Sequence, residues 1–310
     1  MLSDKELFEI CRCPGKRVDI VLDTDTYNEI DDQFAIAYTL KHRERFRIRG
    51  FTCAPFRKTT RAATIAEGIA LSCGETRTVL RLSGEERLSG MVYAGCTQFL
   101  ADENTPVMSE AVEFLIRCSR EYTSERRLYI LATGAITNIA SAILYDPSIT
   151  GRICVVWLGG AAHGWWENYE YNMKQDLAAA RVVIGSDVPF VQIPAQGVTS
   201  ELIVSGIELE HYLKGKNPIC NFLYENSVEY MCARSLYKAW SKVIWDIVVP
   251  AWFLGGDGRF MEARTEYRRL PAYDSRTYEA PLKSRMVYVY EVHRDALIND
   301  LFEKLTGDKL

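Results

Sequence analysis

Val18-Asp19-Ile20-Val21-Leu22-Asp23-Thr24-Asp25-Thr26-Tyr27-Asn28-Glu29-Ile30-Asp31-Asp32 is the stretch on which the fold turns. Residues 18–23 form a short, largely apolar run, the mark of a strand buried on both faces. The run ends in two carboxylates, Asp23 and Asp25. A five-residue loop follows, and Asp31-Asp32 then opens a helical pattern over 31–41. Strand, loop and helix in this order begin a βαβ arrangement. In an open parallel sheet, ligands bind beyond the carboxyl ends of the strands, where this loop lies.

The pattern repeats along the chain. Apolar runs at 47–54, 79–82, 128–132, 153–158 and 190–193 are predicted strands, and helices are expected at 60–72, 109–121, 136–144 and 177–185. Strands separated by helices of that length imply a mostly parallel sheet. From about Gly206 the pattern turns helical, near 220–240 and 243–253. A last apolar run at 286–292 leads into a helix at 294–305. No repeat, low-complexity tract or linker interrupts the sequence. One α/β domain spanning 1–310 is therefore expected: a mostly parallel open sheet with a Rossmann-like core, flanking helices and a C-terminal helical insertion.

Composition narrows the partners. Of 310 residues, 37 are Lys or Arg and 41 are Asp or Glu, a net charge of −4, and 48% are hydrophobic. A slightly acidic chain argues against a nucleic-acid partner, which needs a basic face. No run of eighteen apolar residues appears, so no membrane span is expected. Met1-Leu2-Ser3-Asp4-Lys5-Glu6 carries charge and no apolar signal core. The nine cysteines are odd in number and read as reduced thiols, which together with the N-terminus predicts a cytoplasmic protein. Cys11 and Cys13 have one residue between them, poor spacing for zinc. The four histidines are His42, His163, His211 and His293. With so few imidazoles, carboxylates are expected to carry much of any catalysis.

Asp23 and Asp25 alternate along an extended chain, which predicts that both face one side, with the loop folding Asp31 and Asp32 back toward them. Carboxylates gathered in this way repel one another, and a helix N-terminus supplies only about half a positive charge. A divalent cation resolves the repulsion, and an all-oxygen donor set suits calcium or magnesium. A single Asp pair at a helix start is more often an ordinary cap; four acids within ten residues after a buried strand point instead to a metal or catalytic role.

Asp23-Thr24-Asp25 followed by Asp31-Asp32 resembles the N-terminal signature of the inosine–uridine-preferring nucleoside hydrolases, Asp-x-Asp-Pro-Gly-x-Asp-Asp, with the Pro-Gly turn absent and the loop two residues longer. Further stretches are similar, in order: the run from Leu131 to Ala140 with Thr133-Gly134, Thr137 and Asn138; Trp157-Leu158-Gly159-Gly160-Ala161; Glu170-Tyr171-Asn172 for the family's Glu-Phe-Asn; Asp176-Leu177-Ala178-Ala179-Ala180; and Trp245-Asp246. The segment from Val289 to Leu305 also looks similar, so the resemblance covers nearly the whole chain.

The resemblance implies calcium-dependent hydrolysis of the N-glycosidic bond of ribonucleosides, in purine or pyrimidine salvage, by a homodimer or homotetramer. It implies that Asp25, Asp32, the Thr133 carbonyl and Asp246 hold calcium, whose six to eight oxygen ligands leave room for ribose hydroxyls. Asp25 would be the general base for the attacking water. Asp31, Glu170 and Asn172 would bind the sugar. Asp246 lies between the apolar flanks 243–245 and 247–249, where a carboxylate is costly unless paired or metal-bound.

Two departures concern the leaving base. Trp245 stands where part of the family has an acid histidine; it either stacks on the base or packs in apolar surroundings. Trp165 and Trp166 are expected at the pocket rim, and these two, Tyr169 or Phe56 would supply a second aromatic face. Pro55-Phe56-Arg57 stands where the family has an asparagine. His163, after Gly159-Gly160, is the fallback acid.

Two other readings compete. Asp23-Thr24-Asp25-Thr26 also fits a magnesium phosphatase of the haloacid-dehalogenase type with Asp23 as nucleophile, although Gly185-Ser186-Asp187 echoes its late acidic motif poorly. The altered base side also fits a non-catalytic, metal-dependent binder of a ribosyl ligand.

Overall fold

The computed structural model describes residues 3–57, 59, 61–255 and 258–309. In chain order the elements are α1 (Asp4–Arg12), β1 (Val18–Thr24), α2 (Asp31–Leu40), β2 (Phe46–Cys53), α3 (Ile65–Leu82), β3 (Val92–Tyr93), α4 (Glu110–Ser119), β4 (Leu128–Ala132), α5 (Thr137–Tyr145), β5 (Ile153–Leu158), α6 (Tyr171–Gln175), α7 (Leu177–Gly185) and β6 (Phe190–Ile193). Then come β7 (Ile203–Ser205), α8 (Gly206–Leu213), α9 (Pro218–Cys232), β8 (Ser241–Val243), α10 (Val248–Ala251), β9 (Met261–Tyr267), β10 (Arg285–Val292) and α11 (Arg294–Thr306).

Eight strands make one sheet in the order β3-β2-β1-β4-β5-β6-β10-β9. Every pairing is parallel except β10 with β9. The chain runs outward from β1 through β2 to β3, then returns to place β4 on the other side of β1. The crevice between β1 and β4 is therefore a topological switch point, where α/β sheets bind ligands.

Both faces of the sheet are covered, and the strands show why their apolar runs are continuous. On β4, Tyr129 and Leu131 join one core while Leu128, Ile130 and Ala132 join the other. On β5, Cys154, Val156 and Leu158 alternate in the same way with Ile153, Val155 and Trp157. A strand with apolar side chains on both faces gains roughly 1.5–3 kcal/mol for each large one buried. Helices α2, α10 and α11 pack on the first face, and α4, α5 and α7 on the second. No helix among the described residues is long and apolar enough to cross a membrane.

The structure corrects several sequence expectations. Residues 79–82 are not a strand but the last turn of α3, with Val79 and Leu80 on its buried face. A four-residue apolar run cannot distinguish the two by periodicity. The helix expected at 60–72 begins only after the Thr64 cap, which accepts a bond from the Glu67 N–H; Thr60 itself lies outside the described residues. The helix expected at 220–240 ends at Cys232. The helix expected at 243–253 is reduced to Val248–Ala251, because Ser241–Val243 pairs as a strand with β7. Trp245 and Asp246 consequently lie in the turn between β8 and α10.

Candidate active site

The site is built at the carboxyl ends of β1 and β4. The parallel register pairs Asp23 with Ala132, and the Thr133 N–H donates to the Asp23 carbonyl at 2.9 Å. Thr24 is the last residue of β1, so Asp25 is the first to leave the sheet. The period-two expectation fails at this point. Asp23 is still in the strand and turns into the protein, where its Oδ1 accepts from Thr52 Oγ1 at 2.6 Å and Asn138 Nδ2 at 2.8 Å. It does not line the cavity. Asp25 turns into a cavity of about 200 Å³, together with Asp31, Asp32, Thr133 and Asp246.

The family-like Thr137 and Asn138 act in the scaffold. Asn138 ties Asp23 to the Cys53 carbonyl at the end of β2, and Thr137 Oγ1 donates to Asp176 at 2.7 Å. Asp176 also accepts from the N–H groups of Leu100 and Ala179. These bonds tie the start of α5 to the ends of β1 and β2 and to the start of α7.

Four carboxylates meet at the cavity floor. Single oxygens of Asp31, Asp32 and Asp246 lie within 4.8 Å of one another, all buried. The compact trio thus contains Asp31, which the sequence reading had reserved for the sugar. Asp31 and Asp32 are not spent on capping: the residue before α2, Ile30, takes the cap position, with no side-chain cap bond. Asp32 Oδ1 accepts from Thr24 Oγ1, and from Thr133 Oγ1 at 2.9 Å. Asp31 Oδ2 accepts from the Trp245 N–H at 3.2 Å, and this bond holds the turn that presents Asp246.

The electrostatics follow from burial. Asp25 and Asp246 are pushed well above the ordinary carboxylate range, first by burial and then by the other aspartates. Asp31 rises to about 7, through burial offset by Lys242. Asp32 is raised by burial and pulled back by its hydroxyl donors. Lys242 Nζ lies 2.6 Å from Glu29 and 3.9 Å from Asp31. Burial favours its neutral form, but Asp31 and Glu29 outweigh that and hold its proton. One ammonium cannot balance four carboxylates. A hard dication with oxygen ligands fits this donor set, to which the Thr133 carbonyl adds a neutral oxygen; that carbonyl also accepts from Asn172 Nδ2 at 2.9 Å.

A pH dependence follows. In the unfolded chain these carboxyls titrate near 3.8, whereas in the fold Asp23 keeps its proton to about 6 and Asp31 to about 7. Between those limits the native state binds more protons, so their contribution to stability falls as pH rises from about 4 to about 7 and is fully lost above. A divalent ion reverses the loss by binding the deprotonated form. The gain in thermal midpoint on adding calcium to chelator-treated protein is expected to be larger near pH 8 than near pH 5. A gain that is equal, or larger in acid, would show that Asp31 and the aspartates around it do not hold the ion.

The other expected residues divide. Glu170 and Asn172 line the cavity beyond β5, near Leu158. Glu170 also caps α6: its carboxylate accepts from the N–H groups of Gly160, Asn172 and Met173 at 2.8–3.0 Å. Asn172 bridges the carbonyls of Thr133 and Leu158. Trp245 is half-buried, packing against the core while also lining the cavity.

Trp165 and Trp166 lie outside the cavity lining, 44% and 77% exposed. The Trp165 ring instead covers Gly197, where a Cβ would come within 2.7 Å of it. Phe56 is buried against Gly68, and Tyr169 carries the Lys174 ammonium 3.8 Å above its ring. His163 sits between Tyr278 and Tyr288, and burial lowers it to about 4, so it is neutral at pH 7 and away from the cavity.

Sequence reasoning missed Asn28, Glu29, Tyr171 and Gln196, which line the cavity, and Lys242 behind it. The first two were visible as polar residues between Asp25 and Asp31. The lengthened loop that carries them is anchored along its length. Thr26 bonds Thr76, the Tyr27 N–H donates to Ser72, Asn28 meets Asp25, and Glu29 pairs with Lys242. The Glu29 carbonyl also accepts from Arg61 at 2.7 Å.

Comparisons with known proteins point to one family. The family model described as inosine-uridine preferring nucleoside hydrolase matches residues 20–276. A protein of Oryza sativa subsp. japonica described as probable uridine nucleosidase 1 is 29% identical over 245 residues, 71% of this chain and 69% of that protein. A pyrimidine-specific ribonucleoside hydrolase of Salmonella paratyphi A is 28% identical over 39% of each chain. Among solved structures, a plant nucleoside hydrolase superposes with a TM-score of 0.70 at 20% identity, over 94% of this chain and 100% of that one. The purine-preferring ribonucleoside hydrolase of Gardnerella vaginalis gives 0.70 at 18% identity, over 93% and 98%.

Proposed function

The chain belongs to the inosine-uridine preferring nucleoside hydrolase family of N-glycosidases, and from that premise we propose that it cleaves ribonucleosides with calcium at the aspartate cluster and Asp25 as general base. The observation that carries this reading is the convergence of Asp25, Asp31, Asp32 and Asp246, all buried, around the carboxyl ends of β1 and β4. Asp23, the nucleophile of a phosphatase reading, is buried beneath them and held by Thr52 and Asn138, which removes that alternative.

Asp25, Asp32, Asp246 and the Thr133 carbonyl would hold the ion, with Asp31 either adding a ligand or taking a ribose hydroxyl. When bound, the ion orients the sugar diol and lowers the pKa of a neighbouring water. The chain's own groups do the rest. Asp25, at the base of the cavity, accepts a proton from the attacking water. The clustered carboxylates stabilise positive charge that develops on the ribosyl ring as the glycosidic bond stretches. Glu170 and Asn172, both fixed by backbone contacts, give the sugar a rigid wall, and rigidity here keeps the anomeric carbon aligned with Asp25.

Trp245 supports the leaving base by stacking, which contributes roughly 1–3 kcal/mol per base in nucleic-acid complexes. Trp245→Ala is expected to slow a purine nucleoside about tenfold or more and an activated aryl riboside much less, because the latter needs no help in leaving. Equal loss on both substrates would reduce Trp245 to packing.

The decisive assay incubates the protein with a nucleoside panel, with and without a calcium chelator, and measures reducing sugar. Ribose release that chelation abolishes and calcium restores supports the proposal. Binding without turnover would favour the ribosyl-binder reading.

A further inference from the structure

Asn28 and Tyr171 come from distant parts of the chain and meet above Asp25. Asn28 Nδ2 donates to Asp25 Oδ2 at 3.1 Å. The Tyr171 hydroxyl donates to Asn28 Oδ1 at 3.2 Å. Both residues line the cavity. We propose that the Tyr171–Asn28 pair is a positioning device that sets the orientation of the Asp25 carboxylate. The inference rests on the reading of Asp25 as the general base.

The physical case begins with Asp25 itself. It is buried beside Asp31 and Asp32, whose charges repel it. A carboxylate in such a place turns away from its neighbours unless something holds it. Asn28 supplies a donor to one oxygen, Oδ2, in a carboxylate that also meets Asp32. Its own backbone N–H closes a turn onto the Asp25 carbonyl at 2.7 Å, so the side chain starts from a fixed point.

An amide can present either end, and only the Nδ2 end attracts an ionised carboxylate. The Tyr171 hydroxyl decides which end faces Asp25, because its proton occupies Oδ1. Tyr171 is itself held firmly: it opens α6, whose first turn is pinned by the Glu170 carboxylate. The asparagine belongs to the lengthened loop, and the hydroxyl stands where the resembling pattern has a phenylalanine. The two departures from that pattern are therefore joined by one hydrogen bond.

A residue that acts through Asp25 should change the chemical step and leave substrate affinity nearly alone. Tyr171→Phe removes only the hydroxyl and keeps the ring on the cavity wall. It is expected to lower kcat about threefold to tenfold with KM within about twofold, and Asn28→Ala about thirtyfold with the same split. Combining the two should cost no more than Asn28→Ala alone, since the hydroxyl has nothing left to orient. In an Asp25→Asn background, Tyr171→Phe should change the residual rate by less than about twofold.

Four outcomes overturn the proposal, each with a different signature. Additive losses in the double variant would show that the two residues act separately. A rise in KM that depends on the base would make Tyr171 a substrate contact. Near-normal turnover by Asp25→Asn would remove the base assignment itself, leaving nothing to position. A collapse of Asp25→Asn with unaltered Tyr171→Phe and Asn28→Ala would sink the pair alone. Thermal midpoints measured alongside identify any variant that merely fails to fold.

Discussion

Asp25→Asn is expected to lower kcat on the order of a thousandfold, while the fold and calcium binding survive in recognisable form. The size follows from the role, since a positioned general base contributes about two to four orders of magnitude. The survival of the fold follows from the environment. Asparagine has the shape of aspartate, and it removes one of four mutually repelling charges from a buried cluster. The chelated variant should therefore melt no lower than chelated wild type. The measurement pairs steady-state kinetics with a thermal melt in chelator. Near-normal turnover would refute the assignment, and a large drop in midpoint would mean that the kinetic loss reflects folding.

Asp246→Ala carries the second large effect, and it should appear first in metal binding. Asp246 reaches the cluster from a turn more than two hundred residues beyond Asp32, held by the bond from the Trp245 N–H to Asp31. Its removal takes one carboxylate from the trio that lies within 4.8 Å. Calcium affinity is expected to fall about a hundredfold or more, an amount at least as large as that reported for groups that merely orient metal ligands. Ligand-induced stabilisation is about 2.7 kcal/mol at a hundred times the dissociation constant. The calcium-dependent rise in melting temperature of wild type should accordingly be almost absent in the variant at the same concentration. Activity should return partly as calcium is raised, because the other ligands remain. A variant with an unchanged calcium shift and unchanged rate would place the ion elsewhere.

These two experiments act on residues that differed in how plainly the sequence exposed them. Asp25 stood just past an apolar strand and before an acidic helix start, and the element boundaries were legible there. The strands at 128–132, 153–158 and 190–193 and the helix at 177–185 were legible for the same reason. Their apolar pattern comes from burial on both faces of one sheet. The C-terminal third was less so. Ser241–Val243 is a strand only because β7 pairs with it, and nothing local in Ser241-Lys242-Val243 distinguishes that from a helix entry.

What the sequence by itself determined is the kind of chemistry: buried acids at the end of a buried strand, few histidines, and a motif order that carries a family. Its local periodicity and charge count contain that much, because burial of a strand and repulsion between neighbouring carboxylates are properties of short segments. The tertiary structure decided which acids share the site. Asp23 is withdrawn to Thr52 and Asn138 because the strand has not yet ended there, while Asp246 is brought in by a turn that only the packing of β8 and α10 defines. It also decided the aromatic lining, placing Trp245 and Tyr171 at the cavity and leaving Trp165 and Trp166 outside. The reason is the same throughout: side-chain direction at loop ends depends on long-range hydrogen bonds, and no pattern within a short window of sequence encodes those.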